Sequence, residues 1–353
     1  MNTNDIHIEE SKTIGENHPC FIIAEAGVNH NGNLQTAHDL IESAATAGAD
    51  AVKFQTWITE LVCARGAKKA AYQQQQCPED ADQFSMLKKL ELPYEWHAEL
   101  REHARAKGLI FLSTPDEIQS ARFLCKLGMP AIKIGSAELT NHHFLRQLAD
   151  LGKPIILSTG MGTLDEIRSA VEIIKSTANA PLALLHCLSA YPAPELEMNL
   201  RCIATLREVF KTPVGLSDHT QGSTAAIIAV GIGMNILEKH ITLDHASAGP
   251  DHLASADPME FAELVSHVRK AERMLGNGVK TLCKSEIGIR EAVRRTLLYA
   301  RDFDSGHVLQ LEDIEALRCG LPGISPENAS SLASRRLARS VIAGTPVSES
   351  DFL

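Results

Sequence analysis

The chain has 353 residues, enough for one large domain and a small one. Hydrophobic residues make up 44% and charged residues 22%, which excludes a disordered chain and a membrane-embedded one. The formal net charge of −10 repels nucleic acid and anionic membranes, so neither is expected as a partner, and an anionic substrate would need a local cluster of positive groups.

Residues 1–11 are polar and acidic and lack the basic start and apolar core of a secretory leader. No apolar run is long enough to span a bilayer. The eight cysteines are scattered and form no C-x-x-C pair, which argues against a disulfide framework or a structural zinc. A cytoplasmic protein with reduced thiols is expected.

Short β-branched runs at 21–24, 51–54, 110–112, 131–134, 154–157, 182–186, 214–216 and 236–238 read as strands. Between them lie amphipathic stretches such as 34–47, 93–107, 116–127, 164–176 and 258–275. In the fourth of these, Ile167, Val171 and Ile174 recur at helical spacing. Eight strand–helix units fit a (β/α)8 barrel, whose usual size is about 250 residues. A doubly wound sheet alternates in the same way, but no G-x-G-x-x-G opens a helix here. Residues 56–90 break the rhythm, with Tyr72 followed by four glutamines. An insertion after a barrel strand belongs on the active-site face. Beyond residue 280 the pattern changes to short strands at 293–300, 302–306, 310–313, 318–326 and 338–353, with Gly and Pro at the turns. Residues 1–280 are therefore expected to form the barrel, and 285–353 a small second domain.

Catalytic groups of such barrels sit at the C-terminal strand ends. Reading those ends gives Glu25, then Lys53 and Gln55, then Thr114, then Lys133, Ser136 and Glu138. Ser158 follows, then His186, Ser189 and Tyr191, then Ser217 and His219, and last Glu238, Lys239 and His240. Branched apolar residues normally fill a barrel, so this polarity is excessive for packing alone. Lys53 and Lys133 on separate strands make a positive pocket in an acidic protein. With Ser136, Ser158 and Ser217 they suit a phosphate or a carboxylate. A structural ion pair is the plainer reading of either lysine alone. His219 and His240 follow neighbouring strands, an arrangement that suits a metal ion with open positions for substrate; the alternative is a pair of hydrogen-bonded core histidines. Glu25 and Glu138 are candidate carboxylates, one to hold substrate hydroxyls and one to move a proton, or else lysine partners.

Seven segments in order resemble the sialic acid synthase family. They are Glu25-Ala-Gly-Val-Asn-His-Asn-Gly32, Lys53-Phe-Gln-Thr56, Lys133-Ile-Gly-Ser-Ala-Glu138, Ser158-Thr-Gly-Met161, Gly215-Leu-Ser-Asp-His-Thr220, Glu238-Lys-His240 and Gly249-Pro-Asp-His252. The likeness spans about residues 18–353, and the tail resembles that family's antifreeze-like (SAF-type) domain.

The resemblance implies a (β/α)8 barrel with the small domain capping the partner's site in a domain-swapped homodimer. It implies phosphoenolpyruvate held by Lys53, Lys133, Ser136, Ser158, Ser217 and Tyr191, with Thr114 and Ser189 also on the substrate. A divalent ion, usually manganese with magnesium or cobalt as substitutes, would sit on His219 and His240. An N-acetylated amino sugar would lie against Glu25, Gln55 and Asp251, Glu138 would assist proton transfer, and Arg318 would reach the acceptor. The implied acceptor is N-acetylmannosamine or its diacetamido-trideoxy analogue, and the product a sialic or legionaminic acid. A pseudaminic acid synthase is the nearest alternative, but its first segment usually runs Glu-Leu-Ser-Ala-Asn-His-Ala-Gly. Two departures stand out: Ser189 where many members have Asn, and one extra residue in Arg318-Cys-Gly-Leu-Pro-Gly-Ile-Ser-Pro326.

Overall fold

A computed structural model describes residues 5–9, 12–178 and 180–353. The polar N-terminal stretch read from the sequence therefore lies partly outside the described residues. The chain divides into two units, Met1–Gly276 and Asn277–Leu353.

The first unit opens with an antiparallel hairpin, β1 (Ile6–Glu9) and β2 (Lys12–Ile14), which the sequence reading missed. Ile6, Ile8 and Ile14 are buried in the barrel's core. Lys12 pairs with Asp50, and Asn235 donates to the Gly15 carbonyl at 2.9 Å. Asp50 and Asn235 each precede a barrel strand, so the hairpin sits at the barrel's N-terminal end, away from the strand ends that carry polar residues.

The barrel follows in chain order. It runs β3 (Phe21–Gly27), α1 (Leu34–Thr46), β4 (Ala51–Thr56), α2 (Thr59–Val62), α3 (Ala71–Gln76), α4 (Gln83–Leu90) and α5 (His97–Ala106). Then come β5 (Ile110–Pro115), α6 (Ile118–Leu127), β6 (Ile132–Ile134), α7 (His142–Ala149), β7 (Ile155–Ser158) and α8 (Leu164–Ala178). It closes with β8 (Leu182–Cys187), α9 (Cys202–Phe210), β9 (Val214–Asp218), α10 (Thr224–Ile232), β10 (Ile236–His240) and α11 (Pro258–Leu275). The eight expected strands are all present. Their order, β5-β4-β3-β10-β9-β8-β7-β6, pairs β10 with β3, and the seam falls between β5 and β6. All seven ladders are parallel.

Local signals explain the helices. In α1 the Asn33 side chain accepts from the Thr36 amide, and Ala37, Leu40, Ile41 and Ala44 form the buried stripe. In α11, Asp257 caps the start, Pro258 occupies the first turn, and Glu260 completes a capping box. The insertion at 56–90 folds as three short helices, α2 to α4, around buried Trp57, Cys77 and Met86.

The second unit carries α12 (Ile287–Val293), the antiparallel pair β11 (Thr296–Tyr299) and β12 (Ile314–Leu317), and α13 (Ala329–Leu332). Its core includes Leu297, Tyr299, Leu309, Leu332, Leu337, Val347 and Phe352. Two buried aspartates staple it. Asp313 accepts from His307 at 2.8 Å and Arg301 at 3.0 Å, and Asp351 from Arg339 at 2.8 Å and Tyr299 at 3.1 Å. The sequence reading expected more strands here. Residues 302–306 and 338–353 pair only through isolated bridges such as Phe303 with Val341 and Leu337 with Phe352. Residues 311–313 form a helical turn because the Asp313 carboxylate accepts from the Gln310 amide at 2.9 Å, and the strand begins after it.

Candidate active site

Parallel register sets the site. Glu25 lies beside Lys53 on β4 and His240 on β10, and Ser217 on β9 beside Glu238. Residues two apart share a face, so Glu238 and His240 point into the barrel while Lys239 points away. Lys239 pairs with Asp218 at 2.9 Å and donates to the Thr220 carbonyl, a structural bond on the other side of the strand.

Two buried lysines form the floor. The Lys53 ammonium donates to Thr114 at 2.8 Å and pairs with Glu25 at 2.7 Å. The Lys133 ammonium donates to Ser158 at 2.9 Å and to the Ile134 carbonyl at 3.3 Å. Glu238 lies between them, 3.6 Å from Lys53 and 3.4 Å from Lys133, and accepts from Ser217 at 3.0 Å. Gln55 donates to Glu25 at 2.9 Å.

The two carboxylates sharing these lysines split in character. Burial raises the Glu25 pKa to about 7 against the opposing pull of Lys53. Burial would raise Glu238 also, but Lys133 and Lys53 outweigh it and hold it at about 2. The two lysines therefore favour the charged form of Glu238, whereas burial works against the charge of Glu25. The lysines split too. Burial lowers Lys133, whereas at Lys53 the charges of Glu238 and Glu25 outweigh burial and raise it.

The histidines lie beside this floor. The ring centroids of His219 and His240 are 5.5 Å apart, and Tyr191 packs on His219 at 4.2 Å. His219 Nδ1 donates to the Leu188 carbonyl at 2.8 Å, which leaves the Nε2 lone pair free to bind an electrophile. His240 Nδ1 is buried without a hydrogen-bond partner, 3.7 Å from the buried carboxylate of Asp251. Burial raises Asp251 to about 6.

Ser136 and Ser189 meet at Gly160. Its amide donates to Ser136 Oγ at 3.0 Å. A Cβ there would lie 2.3 Å from Ser189 Oγ, 2.8 Å from Ser136 Oγ and 3.2 Å from Cys187 Sγ. Only glycine leaves those hydroxyls in place.

The structure thus brings together Glu25, Lys53, Gln55, Thr114, Lys133, Ser158 and Ser217. It joins Tyr191, His219, His240 and Asp251 in a second group, and Ser136 with Ser189 in a third. Glu138 bonds within its own turn, accepting from Asn141 at 2.7 Å. Its charge helps burial raise Asp116 to about 7. His186 donates to or accepts from no other candidate; its Nε2 bonds the Met198 carbonyl at 2.7 Å. Arg318 is an exposed residue of the second unit, directly after β12.

Two features escaped the sequence reading. Glu238 is the shared counter-charge of both lysines, which its place two residues before His240 could have signalled. Gly160 is a steric requirement that the segment Ser158-Thr-Gly-Met161 contained without showing why. The insertion lies where the sequence reading expected it, at the strand-end face: its Tyr72 stacks on Tyr191 with centroids 5.1 Å apart.

These features define a (β/α)8-barrel enzyme carrying a second, C-terminal domain. Residues 40–280 match the model of the NeuB family, and residues 294–353 match the SAF domain. The chain belongs to the NeuB family. It is 44% identical over 338 residues to the N,N'-diacetyllegionaminic acid synthase of Legionella pneumophila, covering 95% of both chains. It is 43% identical over 290 residues to the enzyme of that name from Campylobacter jejuni, covering 82% of this chain and 87% of that one. Among solved structures, the N-acetylneuraminic acid (sialic acid) synthetase of Leptospira borgpetersenii, in complex with citrate, is similar with a TM-score of 0.71 and 34% identity. That match covers 82% of this chain and 97% of the other.

Proposed function

We propose that the protein condenses phosphoenolpyruvate with an N-acetylated hexosamine to give a nonulosonic acid and phosphate. The observation that carries the reading is the buried pair Lys53 and Lys133 on separate strands, bridged by Glu238 and flanked by Thr114, Ser158 and Ser217. Such a floor binds an anion bearing both a phosphate and a carboxylate. The names of the two relatives support the diacetamido-trideoxy acceptor over N-acetylmannosamine, and a legionaminic acid as product.

Phosphoenolpyruvate is a latent carbon nucleophile at C3. Lys53 and Lys133 hold its charged groups, with Ser136, Ser158, Ser189, Ser217 and Tyr191 fixing its orientation. The acceptor lies against Glu25, Gln55 and Asp251, its open-chain aldehyde carbon presented to C3. As the new C–C bond forms, C2 becomes cationic and is captured by water. Loss of phosphate from that adduct leaves the keto acid and makes the reaction effectively irreversible. Glu138 assists the proton transfers, and Glu25 holds acceptor hydroxyls.

The histidine pair fits a divalent cation. Nδ1 of buried His240 is an unsatisfied donor of an electron pair, and His219, anchored through Nδ1 on the Leu188 carbonyl, would offer its Nε2. Manganese is the proposed ion, with magnesium or cobalt able to substitute; when bound, it supplies Lewis-acid polarisation of the acceptor's aldehyde oxygen. Arg318 of the partner chain is proposed to reach the acceptor's N-acetyl carbonyl across a domain-swapped homodimer. A cytoplasmic location accords with these substrates; among the described residues no helix is long and apolar enough to cross a membrane. Comparing kcat/KM for the two acceptors tests the substrate assignment: a preference for N-acetylmannosamine would overturn it.

A further inference from the structure

One carboxylate at the strand-end face has no task in the reaction above. Asp116 directly follows β5, and the ladder between β4 and β5 continues to it. The Ile110 amide donates to the Asp50 carbonyl at 3.1 Å at one end, and the Asp116 amide to the Thr56 carbonyl at 3.2 Å at the other. Alternation along the strand then fixes its face. Thr114, two residues earlier, turns into the barrel and accepts from Lys53 at 2.8 Å. Asp116 stands on the same face, one layer nearer the mouth than the pairing of Gln55 with Thr114. Electrostatics gives the same placement. The charges of Glu138, Lys53, Glu25 and Lys133 all act on Asp116, and its charge joins those of Glu238 and Glu25 in raising Lys53 against burial.

The carboxyl of Asp116 has no partner. It is half-buried, yet among the described residues nothing donates a hydrogen bond to it or forms an ion pair with it. Its neighbours differ. Glu25 is held by Lys53 and Gln55, Glu238 by both lysines and Ser217, and Glu138 by Asn141. The lysines are thus already balanced without Asp116. A half-buried carboxylate with no donor loses hydration and gains nothing in return. Beside a floor that holds an anion it also repels that anion. Both effects point away from phosphoenolpyruvate and toward the second substrate. An N-acetylated hexosamine is uncharged and rich in O–H and N–H donors, which offset the lost hydration.

We propose that Asp116 binds the acceptor, its carboxyl accepting hydrogen bonds from a hydroxyl or acetamido N–H of the amino sugar. The inference rests on the condensation proposed above and adds a β5 contact to those of Glu25, Gln55 and Asp251. It also assigns the two substrates opposite responses to one charge: the carboxylate attracts the sugar's donors and repels the enol phosphate.

Full-length Asp116→Ala and Asp116→Asn proteins test it, by phosphate release with phosphoenolpyruvate and the diacetamido-trideoxy hexose varied in turn. Asp116→Ala should lose about 10-fold to 100-fold in kcat/KM for the hexose, the span of a hydrogen bond to a charged group. Asp116→Asn keeps an acceptor oxygen and should recover part of that loss. The KM for phosphoenolpyruvate should stay level or fall, because a repelling charge has gone. A residue that merely supports the floor would raise both constants together. An unchanged kcat/KM for the hexose overturns the proposal, and so does a KM for phosphoenolpyruvate raised as far as that for the hexose. Failure of the condensation reading looks different: wild type would then release no phosphate when the hexose is added. Calorimetric titration with the hexose still decides Asp116 in that case. Weaker binding by Asp116→Ala than by wild type supports the contact, and binding that is equal, or absent from both, overturns it.

Discussion

Replacing Lys133 with methionine keeps the length of the side chain and removes its charge. Three contacts are lost: Ser158 at 2.9 Å, the Ile134 carbonyl at 3.3 Å and Glu238 at 3.4 Å. Truncating one partner of a buried charged pair costs about 2–5 kcal/mol in binding, or about 30-fold to 4,000-fold. Lys53 survives in the pocket, bonded to Thr114 at 2.8 Å, so the lower part of that range applies. About 100-fold off kcat/KM for phosphoenolpyruvate is expected, roughly 2.7 kcal/mol. The fold should suffer less. Glu238 keeps Lys53 at 3.6 Å and Ser217 at 3.0 Å, so it is not stranded, and a stranded charge is what makes broken buried pairs costly. Ligand protection separates the two effects. Phosphoenolpyruvate at about 100 times its wild-type Kd stabilises wild type by about 2.7 kcal/mol, but a variant binding about 100-fold more weakly by only about 0.4 kcal/mol. The assay is phosphate release at varied phosphoenolpyruvate, with thermal melts with and without that ligand. A variant with kcat/KM close to wild type and full thermal protection would refute the anion floor.

Four further outcomes are expected. Chelation should abolish activity and manganese restore it, and His219→Ala should lose both bound metal and turnover; an active, metal-free His219→Ala enzyme contradicts the histidine assignment. Gly160→Ala drives a Cβ to 2.3 Å from Ser189 Oγ, so activity should fall on the order of 100-fold, with partial recovery in the double variant that adds Ser189→Gly. His97 is buried, bonds Thr56 at 2.7 Å, and burial lowers its pKa from 6.5 to about 4. The unfolded chain takes up this proton first, so its stabilising contribution is complete above pH 6.5 and is lost as pH falls toward 4. Between pH 7.5 and 5 the stability advantage of wild type over His97→Gln should shrink by about 2 kcal/mol, read by denaturant titration. Mixing Glu138→Gln with Arg318→Ala subunits should recover about a quarter of wild-type sites if capping runs between subunits, and nothing if it runs within one.

Much of the barrel was legible because its strands are short β-branched runs separated by amphipathic helices at regular intervals. Strand-end position alone put Lys53, Lys133, His219 and His240 at one end of the barrel, where the structure also sets them. The hairpin β1–β2 was not legible: its three buried isoleucines are spread through polar residues, and they become a plug only against a closed barrel. Glu238 looked like one more strand-end carboxylate, and its role emerged only when the register set it between two lysines from distant segments. In the second unit, Gly and Pro marked the turns, but pairing by single bridges leaves no alternation for a sequence to display. The Asp313 and Asp351 staples are likewise invisible, since their partners come from separate turns.

The central claim is condensation with loss of phosphate at a lysine-floored, metal-assisted site. The most direct test incubates the manganese-loaded protein with phosphoenolpyruvate and the diacetamido-trideoxy hexose, and follows phosphate, pyruvate and nonulosonic acid together. Phosphate and nonulosonic acid should appear in equal amounts, only when the acceptor is present, with no pyruvate. Pyruvate as the accompanying product, or phosphate release that does not depend on acceptor, would contradict the account.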